Sequence, residues 1–372
     1  MIEIREVKTK KDLKKFCKFP NDLYKNNPYY IPCLVADEMA MFLPEKNGAF
    51  EWSDVRVFLA YEGKKIVGRI AGIHNRKYIE KVGKNQMRIT RFDFIDDKEV
   101  SKALVDTIKA WALELGATEI IGPIGFSDLD KEGMLIEGFE EESMYITIYN
   151  DRYYIEHMES MGFKKECDWV EYRIEIPSEP IPLLERLAKR SMDKFGYTVY
   201  KCKSKKELYS YVYKALDIMN DVYAKLYGYT ELSRRQQDEF IENLGIILNT
   251  EYAYVIKTSD DNIVGYGLLA PSVNKGMKKC NGRITIPGML TLLKGLKKYD
   301  SVDLYSIGVI PEFVGNGVNA IILNEGIKSC IKNGVKFAET GPELESNAQV
   351  QAQWKLFKHR QHKRRRCWIL PL

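Results

Sequence analysis

Gly315 and Gly317 lie between an alternating apolar stretch and an amphipathic one, a spacing that could seat an anion. Val302, Leu304, Ile307 and Val309 read as a strand closed by Pro311, and Ile321, Ile322, Ile327 and Ile331 recur at helical spacing. In the turn Glu312-Phe-Val-Gly-Asn-Gly-Val318, glycine permits positive φ and leaves no Cβ between backbone and ligand. The helix that follows would open on unpaired N–H groups and the positive end of its dipole, a seat for phosphate or pyrophosphate. A tight turn that uses glycine only for packing is the equal alternative.

Other residues could move protons. The loop Ser127–Glu142 carries Asp128, Asp130, Glu132, Glu137, Glu140, Glu141 and Glu142 against Lys131 alone. Such a rim would attract a cationic amine, and a partly buried carboxylate could serve as a base. The alternative is a solvated loop. Asp128 to Gly133 suggests a calcium loop, yet Phe139 stands at the twelfth place, where a bidentate Glu is required, so no calcium is expected. On the strand before the glycine turn, alternation predicts that Asp303 and Tyr305 share one face, on either the cleft or the core side.

The chain that must position these groups has 372 residues, 45% hydrophobic and 29% charged, enough for two packed domains. A net charge of +5 argues against a general nucleic-acid binder but permits a local basic patch. Seven scattered cysteines, none in a Cys-x-x-Cys pair, suit a reducing cytosol and suggest no zinc site. The N-terminal segment lacks the apolar core of a signal peptide and no run is long enough to span a membrane, so a cytoplasmic protein is expected.

Strands are predicted at 2–7, 55–61, 65–74, 87–95, 119–124 and 168–176, with helices at 10–19, 98–115 and 153–161. Three prolines in Ile176–Pro182 place a boundary there. Beyond it, helices are predicted at 183–195, 205–226, 234–248 and 348–357, and a hairpin at 252–270. Ile263-Val-Gly265 repeats Ile66-Val-Gly68, and Gly334–Pro342 follows its helix as Gly116–Pro123 follows another. The chain therefore reads as two copies of one α/β domain, the second carrying an insertion around Gly282–Leu296. The basic run Lys358–Arg366 could meet anionic lipid headgroups, nucleic acid or a phosphate through Lys363–Arg366, with a solvated strand at a sheet edge as the favoured alternative.

The turn at 312–318 resembles the acyl-CoA-binding loop of the GNAT superfamily of N-acyltransferases, Gln/Arg-x-x-Gly-x-Gly/Ala, with Glu312 a departure. Tyr154–Ile174 resembles the family's closing helix, Gly-Phe turn and final strand. Leu23–Pro32, Val67–Ile70 and Gly122–Phe139 resemble segments of a bacterial family of two-domain GNAT-like proteins. The resemblance implies a mixed α/β (α+β) fold of two tandem GNAT-like domains, each a mixed central sheet flanked by helices. Residues 1–176 would lack the pyrophosphate loop, since Phe94–Val100 has no glycine and three acids, and residues 183–372 would hold acyl-CoA or acetyl-CoA. By the same resemblance Gly308, Val309, Val314, Gly315, Asn316, Gly317, Val318 and Asn347 would contact this co-substrate, although Asn347 reads equally as a helix cap. An amine acceptor would meet Asp128, Asp130 and Glu132, and Tyr305 and Asp303 would transfer protons, without a metal. Trp354 stands where the family often has a proton-donating tyrosine, so a second reading is a tandem GNAT-fold binding protein that has lost catalysis and holds CoA, a nucleotide or another anionic ligand. The oligomeric state stays open.

Overall fold

Fourteen strands join into one mixed sheet in the computed structural model, which describes residues 1–244 and 248–372. The first half supplies β1 (Ile2–Glu6), β2 (Ser53–Glu62), β3 (Lys65–Asn75), β4 (Gln86–Phe94), β5 (Glu119–Gly122), β6 (Met134–Glu137) and β7 (Lys164–Glu175). The second supplies β8 (Thr198–Lys201), β9 (Ala253–Lys257), β10 (Ile263–Pro271), β11 (Ser301–Val309), β12 (Phe337–Thr340), β13 (Glu343–Leu344) and β14 (His359–Pro371). Strand order is β1-β2-β3-β4-β5-β14-β7-β12-β11-β10-β9-β8, with β6 on β14 and β13 on β7. The two hairpins carrying the Ile-Val-Gly repeat, β2–β3 and β9–β10, occupy equivalent places, and each half contains one parallel pair, β4 with β5 and β11 with β12.

Each half surrenders its last strand to the other. β14, from the chain's end, lies between β5 and β7, whereas β7 pairs with β12 of the second half. The basic run is therefore not at an edge, which corrects that expectation, and although Lys358–Gln361 stay exposed, its second half from His362 to Arg366 is not a solvated strand. Lys363 and Arg365 are buried at the sheet's centre, where both meet Glu171, itself buried. Arg364 and Arg366 bind Asp168 at 3.2 and 2.8 Å, and Arg364 also binds Glu345. A buried charge stays ionised only with such a partner, so Lys363–Arg366 offers no docking surface for a membrane.

The helices cover the sheet by apolar stripes. Lys98–Glu114 buries Val100, Leu104, Val105 and Ile108 against β2–β4, and Val318–Lys332 buries Val318, Ile321, Ile322 and Ile327 against β9–β11. Gly68 and Gly72 lie where a Cβ would strike Leu104 and Trp111, which accounts for glycine in β3. The helix predicted at 234–248 is described as Arg234–Leu244, and its remaining turn lies largely outside the described residues. The segment predicted as a helix at 348–357 is one α-turn, Ala348–Gln351, continued by a tighter 3₁₀ turn to Leu356.

Candidate active site

The parallel pairing of β11 with β12 runs only from Ser301↔Phe337 to Leu304↔Thr340. β11 continues to Val309 while the chain after Thr340 turns away to β13, so the two strands part. The opening belongs to a cavity of about 850 Å³, in the upper part of the roughly 300–1,000 Å³ usual for small-molecule sites. Its walls are mostly apolar, among them Leu184, Leu226, Leu269, Ile307, Leu323 and Phe357. In the middle of β11, Ser306 faces Leu268 and Leu304 faces Leu269, leaving Tyr305 as the extra residue of a bulge. That bulge interrupts the alternation predicted to put Asp303 and Tyr305 on one face. Tyr305 lines the cavity. Asp303 is buried away from it, within reach of Ser272, Glu339 and Lys363, where burial and Glu339 push its carboxyl up to about 8.

At the far end of β11, Pro311–Phe313 forms one 3₁₀ turn and the helix Val318–Lys332 begins. Gly317 occupies the N-cap at φ +80° with no side-chain cap, so the first helical N–H groups have no side-chain acceptor of their own. Gly315, at φ +89°, has open space where a Cβ would be. A Cβ on Gly317 would instead run into Ser191 Oγ of the helix Pro182–Phe195. Replacing Gly317 with valine would thus disturb packing as well as a ligand seat, and Gly315 is the cleaner position to test. Glu312 is exposed at the surface and is not among the residues lining the cavity. Val309, Val314, Gly315, Gly317, Val318 and Asn347 line the cavity, whereas Gly308 and Asn316 do not. Gly308 lies against the Tyr266 ring, and the Asn316 N–H is taken by Phe313 O at 3.2 Å. Asn347 caps its own helix, its side chain accepting from Val350 N at 3.3 Å.

The acidic loop of the first half reaches the same cavity through Asp128, Asp130 and Glu132. These three differ in what holds them. Asp130 accepts from Phe126 N at 2.7 Å and Ser127 N at 3.3 Å, which ties it to its own turn. Glu132 is buried, its Oε2 has no hydrogen-bond partner among the described residues, and burial with Asp128 nearby raises its carboxyl well above the usual range. Asp128 is pushed up to about 7 by burial, opposed by a hydrogen bond from Ser127.

Two polar groups at the site escaped the sequence patterns. Glu343, on β13, lines the cavity and accepts from Trp354 Nε1 at 3.0 and 3.1 Å; burial pushes its carboxyl up to about 7. Tyr223, at the end of the helix Lys205–Tyr223, places its hydroxyl 3.1 Å from Ser306 Oγ, which lies 2.9 Å from the Tyr266 hydroxyl. Burial raises the Tyr223 phenol, and Asp128 and Glu343 both lie close enough to raise or perturb it further. Nothing in sequence separates Tyr223 from 22 other tyrosines, nor Glu343 from Glu339 and Glu345.

The fold as a whole is shared with solved structures. A tandem GNAT protein from the clavulanic acid biosynthesis pathway, determined without AcCoA, superposes at TM-score 0.60 with 10% identity, covering 100% of this chain and 98% of that one. This chain has the tandem GNAT fold. A GCN5-related glucosamine N-acetyltransferase region of a fungal multi-domain β-N-acetylglucosaminidase also matches, at TM-score 0.55 and 12% identity over 100% of this chain and 38% of that one. By sequence, the GNAT-fold chain is 26% identical to Protein YghO of Escherichia coli strain K12 over 298 residues, 79% of this chain and 74% of that protein. It is 23% identical to a bacterial ceramide synthase of Caulobacter vibrioides over 297 residues, 80% of this chain and 77% of that protein. No family model matches the chain.

Proposed function

We propose that this GNAT-fold protein is an acyl-CoA-dependent N-acyltransferase that joins a fatty acyl group to a long-chain amine. The observation that carries the reading is one cavity in which an uncapped helix start, the raised carboxyls of Asp128, Glu132 and Glu343 and long apolar walls meet. A relative named for ceramide synthesis, which makes an amide from an acyl group and a long-chain amine, points the same way. Gly315 and the first turn at Val318 would hold the anionic end of acyl-CoA, which supplies a thioester as acyl donor. The apolar walls exclude water and fix both chains, so that the reacting ends are held together rather than meeting by diffusion. Asp128 binds the acceptor's ammonium group by a charge-assisted hydrogen bond, next to Glu132. Glu343 takes the proton that the amine must lose; a carboxyl titrating at about 7 is both available as a base near neutrality and able to release the proton again. Trp354, in place of the usual tyrosine, orients Glu343, and Tyr223 holds a phenolic proton beside Ser306 for the departing thiolate. The division at the proline segment 176–182 then separates a half that supplies the acceptor carboxylate from one that holds the donor.

Release of free CoA thiol, followed with palmitoyl-CoA and a panel of short and long-chain amines, tests the proposal. Thiol release that depends on both a long-chain acyl donor and a long-chain amine is expected. Stabilisation by palmitoyl-CoA with no turnover of any amine would favour the binding-protein reading instead.

A further inference from the structure

Between β10 and β11 the second half carries 29 residues, 272–300, where the first half spends ten between β3 and β4. The insertion folds as two helices, Asn274–Cys280 and Ile286–Gly295. Their shared interface is close and apolar: Leu292 packs on Gly276, where even a Cβ would not fit, and Met277 and Val273 complete the seam. Among the described residues, nothing buries the opposite face of the second helix. Ile286 is 81% exposed, Leu290 55% and Leu293 46%, and Ile284 just before them 49%. Residues 286, 290 and 293 fall one above another on a helix, so they form a single stripe. Four of the eleven exposed large apolar side chains among the described residues lie in these ten positions.

The surroundings of that stripe are cationic. No acidic residue occurs from 274 to 299, against seven Lys and Arg. Lys275 and Lys278 are taken up by Asp300 and Glu142, but Lys279, Arg283, Lys294, Lys297 and Lys298 make no ion pair among the described residues. Arg283 and Ile284 continue into a groove of about 640 Å³ walled on the other side by Lys14, Lys18 and Lys25 of the first half, with Asp37 and with Asp22, which pairs with Lys18. Lys14 and Lys25 are likewise without an ion-pair partner among the described residues. The patch lies at the start of β11, across nine strand residues, about 30 Å, from the glycine turn at its end.

We propose that the insertion is a membrane-docking element: Ile284, Ile286, Leu290 and Leu293 enter the interface of an anionic bilayer while the surrounding lysines and Arg283 contact lipid phosphates. An apolar stripe rimmed by unpaired cations is complementary to that surface and to few others. Burying the side chains supplies attraction that salt does not screen, and the cations supply attraction that it does. A protein docked this way needs no membrane-spanning helix, and none of the described helices is long and apolar enough to be one.

Vesicle flotation of the full chain tests this, with phosphatidylcholine alone and with phosphatidylcholine mixed with an equal part of phosphatidylglycerol. The wild type floats with the mixed vesicles and much less with phosphatidylcholine, and binding weakens as salt is raised. Lys294→Gln, Lys297→Gln and Lys298→Gln together lower the vesicle affinity by roughly a hundredfold, about fivefold for each charge. Ile286→Ser, Leu290→Ser and Leu293→Ser together abolish flotation while circular dichroism and melting temperature stay those of the wild type. Absence of wild-type flotation, or undiminished flotation of the serine variant, overturns the proposal. So does sedimentation showing a stable dimer that the serine variant dissociates, because the stripe would then be covered by a second copy.

Discussion

The two halves meet the same local problem, a helix beginning after a bulged strand, and solve it in opposite ways. In the first half Asp97 is the N-cap of the helix Lys98–Glu114, its carboxylate accepting from Glu99 N at 2.8 Å. In the second, Gly317 is the N-cap and no side chain caps the helix. The strand gaps differ in the same sense. Where β4 and β5 part beyond Arg88↔Ile121, Ile124 N bonds back to Ile89 O and the Arg88 guanidinium fills the space, donating to the carbonyls of Gly125, Phe126 and Gly228. Where β11 and β12 part, the gap opens into the cavity. A polar seat and a split sheet cost stability unless something satisfies them. The first half satisfies both with its own side chains; in the second, no side chain among the described residues caps the helix, and the strand gap stays open.

Removing the base from the open half carries the largest expected effect. Glu343→Gln lowers kcat by about 10²–10⁴-fold and removes the rise in activity through pH near 7, with palmitoyl-CoA affinity unchanged by calorimetry. Next comes making the open half resemble the closed one. Gly315→Asp puts a carboxylate beside the uncapped helix start and weakens acyl-CoA binding about a hundredfold, whereas Gly315→Asn, equal in shape and tolerant of positive φ, weakens it by less than about tenfold. Equal losses in the two variants would mean that bulk rather than charge matters there.

Asp128 tests what the closed half lends to the open one. Asp128→Asn raises KM for a cationic amine by about tenfold and leaves kcat within a few-fold, since a charge-assisted hydrogen bond is worth about 1.5–3 kcal/mol. Its stability effect has a definite sign. A carboxyl at about 7, above its ordinary 3.8, binds its proton more tightly in the folded state. The stability it confers is full below the ordinary value and is lost as pH rises towards 7. The asparagine variant should therefore gain roughly 2 kcal/mol relative to wild type at about pH 8 and little at about pH 4, read from thermal melts. The smallest effect belongs to the closed half itself: Asp97→Ala should cost about 1 kcal/mol of stability, as helix caps do, and leave acyl-CoA affinity where it was.

Local pattern determined a good deal. Period-two and period-3.6 runs placed the hairpins β2–β3 and β9–β10 and the two long helices that cover them, because each element's apolar face must match its own repeat whatever it packs against. The glycine turn was legible for the same reason: positive φ at Gly315 and Gly317 is a property of those residues. The acidic loop was legible as a cluster, though not which of its acids is tied down, since Asp130 differs from Asp128 only in the backbone N–H groups folded against it. Other features depended on residues far apart in sequence. The run Lys363–Arg366 looks like a solvated strand until Glu171 and Asp168, nearly two hundred residues earlier, are brought beside it by the exchange of β7 and β14. Tyr223 and Glu343 become neighbours of Asp128 only when the end of one helix, a two-residue strand and a first-half loop close on one cavity. The sequence by itself thus determined the elements and the backbone chemistry of the turn. Tertiary structure decided which charges are buried and paired and which are left facing a ligand, because burial and partnership are relations between distant segments and not properties of a residue type.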